Sequence, residues 1–314
     1  MSAVFPSISA TRRAIQKWIQ RVLANDPPRA KSLVVTIFGD SIQPYGGSIR
    51  LKGLIDLLAP FGINQRLVRT SVFRLVQEQW LQPKKYGRES SYQLTESGKR
   101  RFALAYGKIY RRQTAEWNGR WTLIVLPANG TTPQLRTRLR RELEWQGLRQ
   151  LAPNLLAHPQ IDRAALEEVL DRLDAGRKVA ACQVVNSADL GSLSDLVKGL
   201  WDLSAVINGY REFLRRCSTL RRLSDEPDVI APQQWFMIRT LLIHAFRRIV
   251  LHDPLLPIEL LPDPWIGAQA YTFVSKIYWQ SLSGSEAHLS AVLGSTPDEV
   301  KRAGMQLRKR FRRR

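Results

Sequence analysis

LKGLIDLLAPFGINQRLVRTSVFRLVQEQWLQPKKYGRESSYQLT, residues 51–95, decides the fold of the N-terminal third of this chain. Leu54, Leu57, Leu58 and Phe61 recur at helical spacing, and Pro60 with Gly62 stops that helix early. Asn64 then offers a side-chain oxygen to the unpaired amides of a second helix, predicted over about 65–79. This helix has two faces. Val68, Val72, Leu75 and Val76 form an inward stripe, whereas Arg66, Arg69, Thr70, Phe73, Arg74 and Gln77 recur at i, i+3, i+4 on the other side. The stretch WLQPKKYGRESSYQLT (80–95) follows as two short strands joined by a turn at Tyr86 to Glu89, with Lys84, Lys85 and Arg88 near the tip.

Working outward, AKSLVVTIFGD (30–40) is apolar enough for a buried helix, and SIRL (48–51) suits a short strand. TESGKRRFALAYGKIYRR (95–112) supplies Thr95 as the cap of a closing basic helix. The order predicts a winged helix-turn-helix over 29–112. Three guanidinium groups on one helix face suit the major groove, where they pair with guanine edges or clamp phosphates; a merely solvated charged face is the other reading. The basic hairpin favours the first. Its tip can reach phosphates or place Arg88 in the adjacent minor groove, adding salt-sensitive affinity.

Charge points the same way. Lys and Arg number 48 against 27 Asp and Glu among 314 residues, a net +21, so the chain sits in a field that attracts polyanions such as nucleic acid or anionic lipid. Removing the eight Lys and Arg of KRAGMQLRKRFRRR (301–314) leaves the remainder strongly positive. No apolar run approaches the ~18 to 20 residues of a spanning helix. The opening 28 residues lack signal-peptide order and read as an amphipathic extension. Together with the basic tail at 301–314, that extension raises a membrane-surface reading, against which a solvated or phosphate-touching tail is the alternative. Cys182 and Cys217, far apart and without ligand spacing, fit a reduced, cytoplasmic setting.

The central region, 113–190, reads as β-α-β-α-β: WTLIVLP (121–127), a helix at 132–147, the strand-like GLRQLAPNLLAH (147–158), a helix at 161–174 and KVAACQVVN (178–186). That alternation predicts a ferredoxin-like α/β sandwich. A metal-dependent nuclease on the same frame wants a carboxylate near the first strand, and WTLIVLP holds none. From 191 to 300 the chain reads as a helical domain for dimerisation or effector binding. Residues 193–216 carry Leu196, Leu200, Leu203, Ile207, Tyr210 and Leu214 along one face, and 232–252 carry Trp235, Leu242, Phe246 and Ile249. The whole is an α+β chain.

Enzyme signatures are missing. There is no G-x-S-x-G, no G-x-x-x-x-G-K-[ST], no H-E-x-x-H and no G-x-G-x-x-G, and His158, His244, His252 and His288 lack ligand spacing. Neither catalytic nor metal-binding residues are expected.

The stretch 32–101 resembles the phenylacetic acid catabolism repressor family, PaaX. The residues carrying the likeness are Gly39-Asp40, Val68-Arg69-Thr70, Arg74-Leu75, Trp80-Leu81, Gly87-Arg88, Tyr92-Gln93-Leu94-Thr95 and Gly98. A second block, HDPLLPIELLPDPWIGAQA (252–270), is similar to the family's C-terminal signature. The resemblance implies a homodimeric repressor of aromatic-acid degradation genes that binds double-stranded operator DNA and answers to an aryl-coenzyme A thioester such as phenylacetyl-coenzyme A. It also makes Arg239, Arg247 and Arg248 candidates for the effector's phosphates, and Trp201, Trp235 and Trp265 candidates for its acyl or adenine rings, between the central and C-terminal domains. The plain alternative is that the tryptophans are core and the arginines surface. An acyl-coenzyme A enzyme is the rival reading, separated from a repressor by turnover of the thioester.

Overall fold

The computed structural model describes residues 8–86, 89–111, 116–127, 131–185, 197, 199–223 and 230–311. The chain divides into two compact units, the first made of residues 1–111, 212–248 and 269–314 and the second of residues 112–211 and 249–268. Helices are combined with two small antiparallel sheets, an α+β arrangement.

The chain enters through α1 (Ile8–Asn25), which buries Ile15, Trp18 and Ile19 and donates from Trp18 Nε1 to the Arg216 carbonyl at 2.9 Å. The amphipathic segment expected within 1–28 is thus helical over residues 8–25, and its apolar stripe, offered to a membrane surface in one reading, is covered by protein. Next comes α2 (Ala30–Ile37), burying Leu33, Val34, Thr36 and Ile37, and it runs on into a π-helical turn, Phe38–Ile42. After β1 (Ser48–Arg50), α3 (Leu51–Leu58) buries Leu54, Leu57 and Leu58 and tightens into a single 3-10 turn, Ala59–Phe61. Gly62 adopts φ 75°, a left-handed conformation that strains any side chain, and so reverses the chain in one step. Only Ile63 and Asn64 remain before α4 (Gln65–Gln77), whose first turn is capped by Asn64 Oδ1 accepting from the Leu67 amide at 2.9 Å. Packing α4 on α2 buries Val68, Val72 and Leu75 and aims the opposite face at solvent.

Strands β2 (Leu81–Tyr86) and β3 (Glu89–Leu94) pair antiparallel, and β1 joins the far side of β3 to give the order β1-β3-β2. Thr95 links this sheet to α5 (Glu96–Tyr110). Its hydroxyl accepts from the Gly98 amide at 2.9 Å and donates to the Gln79 carbonyl at 2.6 Å, fixing the start of α5 against the exit from α4.

In the second unit the order is β4 (Arg120–Val125), α6 (Pro133–Trp145), β5 (Arg149–Ala152), β6 (Leu155–His158), α7 (Arg163–Arg172) and β7 (Ala180–Val185). All pairs are antiparallel, in the order β5-β6-β4-β7. The stretch read as one strand at 147–158 is therefore a hairpin, because Pro153-Asn154 interrupts it. Ile124, Leu126 and Leu156 meet Leu139 and Leu143 of α6 and Leu166, Val169 and Leu170 of α7 on one face of this sheet. Trp121, Ala157, Trp201 and Leu256 gather on the other.

The single helix expected over 193–216 is also corrected. Leu196 lies outside the described residues, helical residues occur at 197 and 199–200, residues 201–203 are not helical, and α8 starts afresh at Ser204–Arg216. Asp202 causes the restart, since its Oδ1 accepts from the Ser204 amide at 2.9 Å and competes with helix continuation. Two further long helices, α9 (Pro232–Val250) and α10 (Ile266–Leu293), precede α11 (Pro297–Leu307), which opens with a capping box between Thr296 and Glu299. Arg310 and Phe311 beyond it are 2% and 3% exposed, so at these two positions the basic segment, read as a solvated or phosphate-touching tail, is buried in the protein. Among the described residues no helix is long and apolar enough to cross a membrane.

Candidate nucleic-acid interface

Helix α4 carries the candidate residues. Its sequence, QRLVRTSVFRLVQ, has three arginines and no acid, and the structure leaves Arg66, Arg69, Thr70, Phe73, Arg74 and Gln77 all exposed on the face away from α2. Two of these side chains are already oriented. The Gln65 amide oxygen, turned toward Arg69, accepts from Nε at 3.2 Å and Nη2 at 2.7 Å, holding the guanidinium fork along the helix. Thr70 Oγ1 donates to the Arg66 carbonyl at 2.9 Å, so its hydroxyl is left with acceptor capacity only. It can take a hydrogen bond from a base amine but cannot give one.

Two large apolar side chains of α4 are exposed as well. Phe73 is 63% and Leu67 48% exposed, an arrangement that in water has no packing reason and that suits contact with an apolar group such as a thymine methyl. Leu67 escaped the sequence reading. The signal was its i, i+3, i+7 relation to Thr70 and Arg74, hidden because a leucine on an amphipathic helix is first assigned to the core.

The hairpin adds less. Lys84 is exposed on β2, where its carbonyl accepts from Ser91 Oγ at 2.5 Å. Lys85 occupies the next position of β2, opposite Ser90, while its side chain lies outside the described residues, as do Gly87 and Arg88.

The effector candidates fall differently. Arg239 is 0% exposed, and its fork is consumed: Nε donates to Asp40 Oδ2 at 2.8 Å, Nη2 to the Asp40 carbonyl at 3.1 Å and Nη1 to Glu286 Oε1 at 2.6 Å. Trp201, Trp235 and Trp265 are all buried, Trp201 Nε1 donating to the Gly147 carbonyl at 2.9 Å and Trp235 packing against Gly284. All four side chains are buried as they stand, which agrees with the alternative that the tryptophans are core. Arg247 is half-buried and donates to Ser32 Oγ at 3.0 Å, and Arg248 is exposed, 3.4 Å from Asp26.

Arg239 belongs to a cluster that sequence reasoning missed. Asp40, in the π-helical turn after α2, receives Arg239, Arg310 and the Tyr110 hydroxyl, the last at 2.7 Å. Arg310 also donates to the Asp40 carbonyl at 2.7 Å, the Gly39 carbonyl at 3.1 Å and Tyr278 at 2.7 Å. Burial by itself would raise the Asp40 carboxyl, but the two guanidinium groups and the Tyr110 hydroxyl outweigh it and hold the group below its ordinary range. Glu286 closes the set by accepting from Tyr45 at 2.5 Å. The end of α2, which backs the exposed helix α4, is thus tied to α5, α9, α10 and the C-terminal segment.

Residues 29–98 match the PaaX-like protein family, residues 114–194 the PaaX protein central Cas2-like domain and residues 201–291 the PaaX-like protein C-terminal domain. The chain belongs to the PaaX family. It is 33% identical over 300 residues to the transcriptional repressor PaaX of Escherichia coli strain K12, covering 95% of this chain and 94% of that one. An uncharacterized protein, Rv0674 from Mycobacterium tuberculosis, aligns in structure with a TM-score of 0.46 and 23% identity over 76% of this PaaX-family chain and 89% of its own.

Proposed function

We propose that this chain is a DNA-binding transcriptional repressor whose N-terminal region, 29–112, is a winged helix-turn-helix with α4 as the reading helix and β2 and β3 as the wing. The observation that carries this is the outward face of α4, where Arg66, Arg69, Thr70, Phe73, Arg74 and Gln77 are exposed with no carboxylate among them. Lys84, Lys85 and Arg88 of the hairpin are proposed to meet the phosphates beside it. The second unit's β-α-β-β-α-β order, with β4 and β6 central, supports a ferredoxin-like frame for about 113–190. The E. coli relative's name supports repression, and family likeness supports a cytoplasmic homodimer that serves aromatic-acid degradation genes and is released by an aryl-coenzyme A thioester. Two reading helices would then enter major grooves about one turn, ~10 bp, or a multiple of it apart. Of the effector candidates, Arg247 and Arg248 keep a proposed role at its phosphates.

A gel shift with the promoter beside this gene tests the reading. Arg69→Ala and Arg74→Ala each weaken specific binding by ~1 to 3 kcal/mol if they touch base edges, and weaken all duplexes evenly if they touch phosphates. Unchanged affinity in both variants discards α4 as the reader. Titration with phenylacetyl-coenzyme A releases the DNA, phenylacetate does not, and the thioester is recovered intact. Its hydrolysis would instead support an enzyme.

A further inference from the structure

We propose that the outer face of α1 is a second nucleic-acid contact, a phosphate clamp that grips the duplex backbone beside the stretch read by α4. Helix α1, ISATRRAIQKWIQRVLAN, contains four cations and no acid. Arg13, Lys17 and Arg21 recur at i, i+4, i+8 on the side opposite the buried Ile15, Trp18 and Ile19. Gln16 and Gln20 fill the adjoining row and Arg12 its margin, and all six side chains are exposed.

This stripe is uncompensated. Asp26 is the only carboxylate in residues 1–39, and it is taken by Arg216 at 2.8 Å and Arg248 at 3.4 Å. Among the described residues no carboxylate forms an ion pair with Arg12, Arg13, Lys17 or Arg21. Like charges four residues apart on a helix repel, so the row costs α1 stability in the free protein. A row of phosphates turns that repulsion into attraction. From Arg13 to Arg21 the helix rises about 12 Å, the rise of three to four phosphates along one strand of B-DNA.

Placement suits the same partner. Helices α1 and α4 lie in one compact unit, and residues 26–29 alone separate α1 from α2, a reach of at most about 18 Å. Helix α2 carries α4, and Lys31 at its start pairs with Glu78 just past the end of α4. The linkage holds α1 near the C-terminal end of α4, where a basic helix extends the contact along the backbone. Anionic lipid shares the phosphate chemistry, but an interfacial helix must sink its apolar face, and that of α1 is packed on protein.

This role rests on the DNA-binding reading above, and it is read from salt dependence rather than from sequence preference. Each phosphate contact releases counter-ions, giving a slope of about −0.9 in a plot of log affinity against log salt. The full chain carrying Arg13→Gln, Lys17→Gln and Arg21→Gln together, with unchanged circular dichroism, should flatten that slope by about 2 to 3, equally on the promoter duplex and on a duplex of unrelated sequence. Should the triple variant fail to fold, each single substitution should flatten it by up to about 0.9. A control that loses as many charges from exposed positions of the other unit, Arg138→Gln, Arg141→Gln and Arg177→Gln, should keep the wild-type slope. Unchanged slopes in the α1 variants, or an equal fall in the control, overturn the proposal. So does binding to phosphatidylserine vesicles that the triple variant loses while its DNA slope stays as in wild type. Arg69→Ala and Arg74→Ala report on α4 in separate proteins, so either contact can fail while the other stands.

Discussion

Asp40→Asn should lower the stability of the first unit by about 3–5 kcal/mol, the cost of leaving buried charge without its partner. The carboxylate is the shared counter-ion of Arg239 and Arg310, with Glu286 supplying the second negative charge, so the cluster is neutral as built. Removing the Asp40 charge leaves two guanidinium groups against one carboxylate in a site where Arg239 is fully enclosed. The amide keeps the shape but cannot accept from both forks at full strength. Because the folded carboxyl lies below its unfolded value, its stabilisation is complete above the unfolded pKa and is lost as pH falls through the folded one. Urea unfolding of wild type and variant at neutral pH reads the difference directly. A loss below about 1 kcal/mol would show that the pairs merely balance their own desolvation and do not hold the unit together. The functional consequence follows from placement: Asp40 sits at the end of α2, and α2 is the surface on which α4 rests.

Much of this was legible in the sequence where local chemistry decides the outcome. Asn64, Gly62 and Thr95 each satisfy a backbone requirement within a few residues of themselves, and α3, α4 and α5 start and stop where those residues direct. The stripe of α4 was readable because packing on one side fixes exposure on the other. What could not be read required partners far along the chain. Arg310 looks like one of a run of tail cations, yet it pairs with Asp40, 270 positions away. Arg239 shares a helix with Arg247 and Arg248, and periodicity cannot say which of the three meets a buried carboxylate. Asp40 itself was the available clue, since a lone acid inside the apolar run VVTIFGDSI calls for a buried cation. The break at 201–203 was hidden for another reason: the apolar spacing continues through it, and only the Asp202 cap marks the restart.

Acid should destabilise the same seam through His244. The ring lies between α9 and α2, and since the Thr36 hydroxyl gives its proton to the Ser32 carbonyl at 3.1 Å, His244 Nδ1–H is the donor to Thr36 Oγ1 at 2.8 Å. Burial above all, then the nearby Arg247 and Arg248, disfavours the imidazolium and lowers its pKa to about 3, with Asp26 pulling weakly the other way. The folded value lies below the unfolded one near 6.5, so the unfolded chain takes up this proton first on acidification. Stability from this group is therefore full above about pH 6.5 and declines toward pH 3, with about 2 kcal/mol gone by pH 5. His244→Asn keeps a side-chain amide to donate to Thr36 but has nothing to titrate, so it should lose less stability than wild type between pH 7 and pH 5. Urea midpoints of the two proteins at both pH values isolate the histidine from the carboxylates they share. Equal losses in the two proteins would mean that the ring reaches water and protonates in place, and α2 would then keep its hold on α9, and its support of α4, in acid.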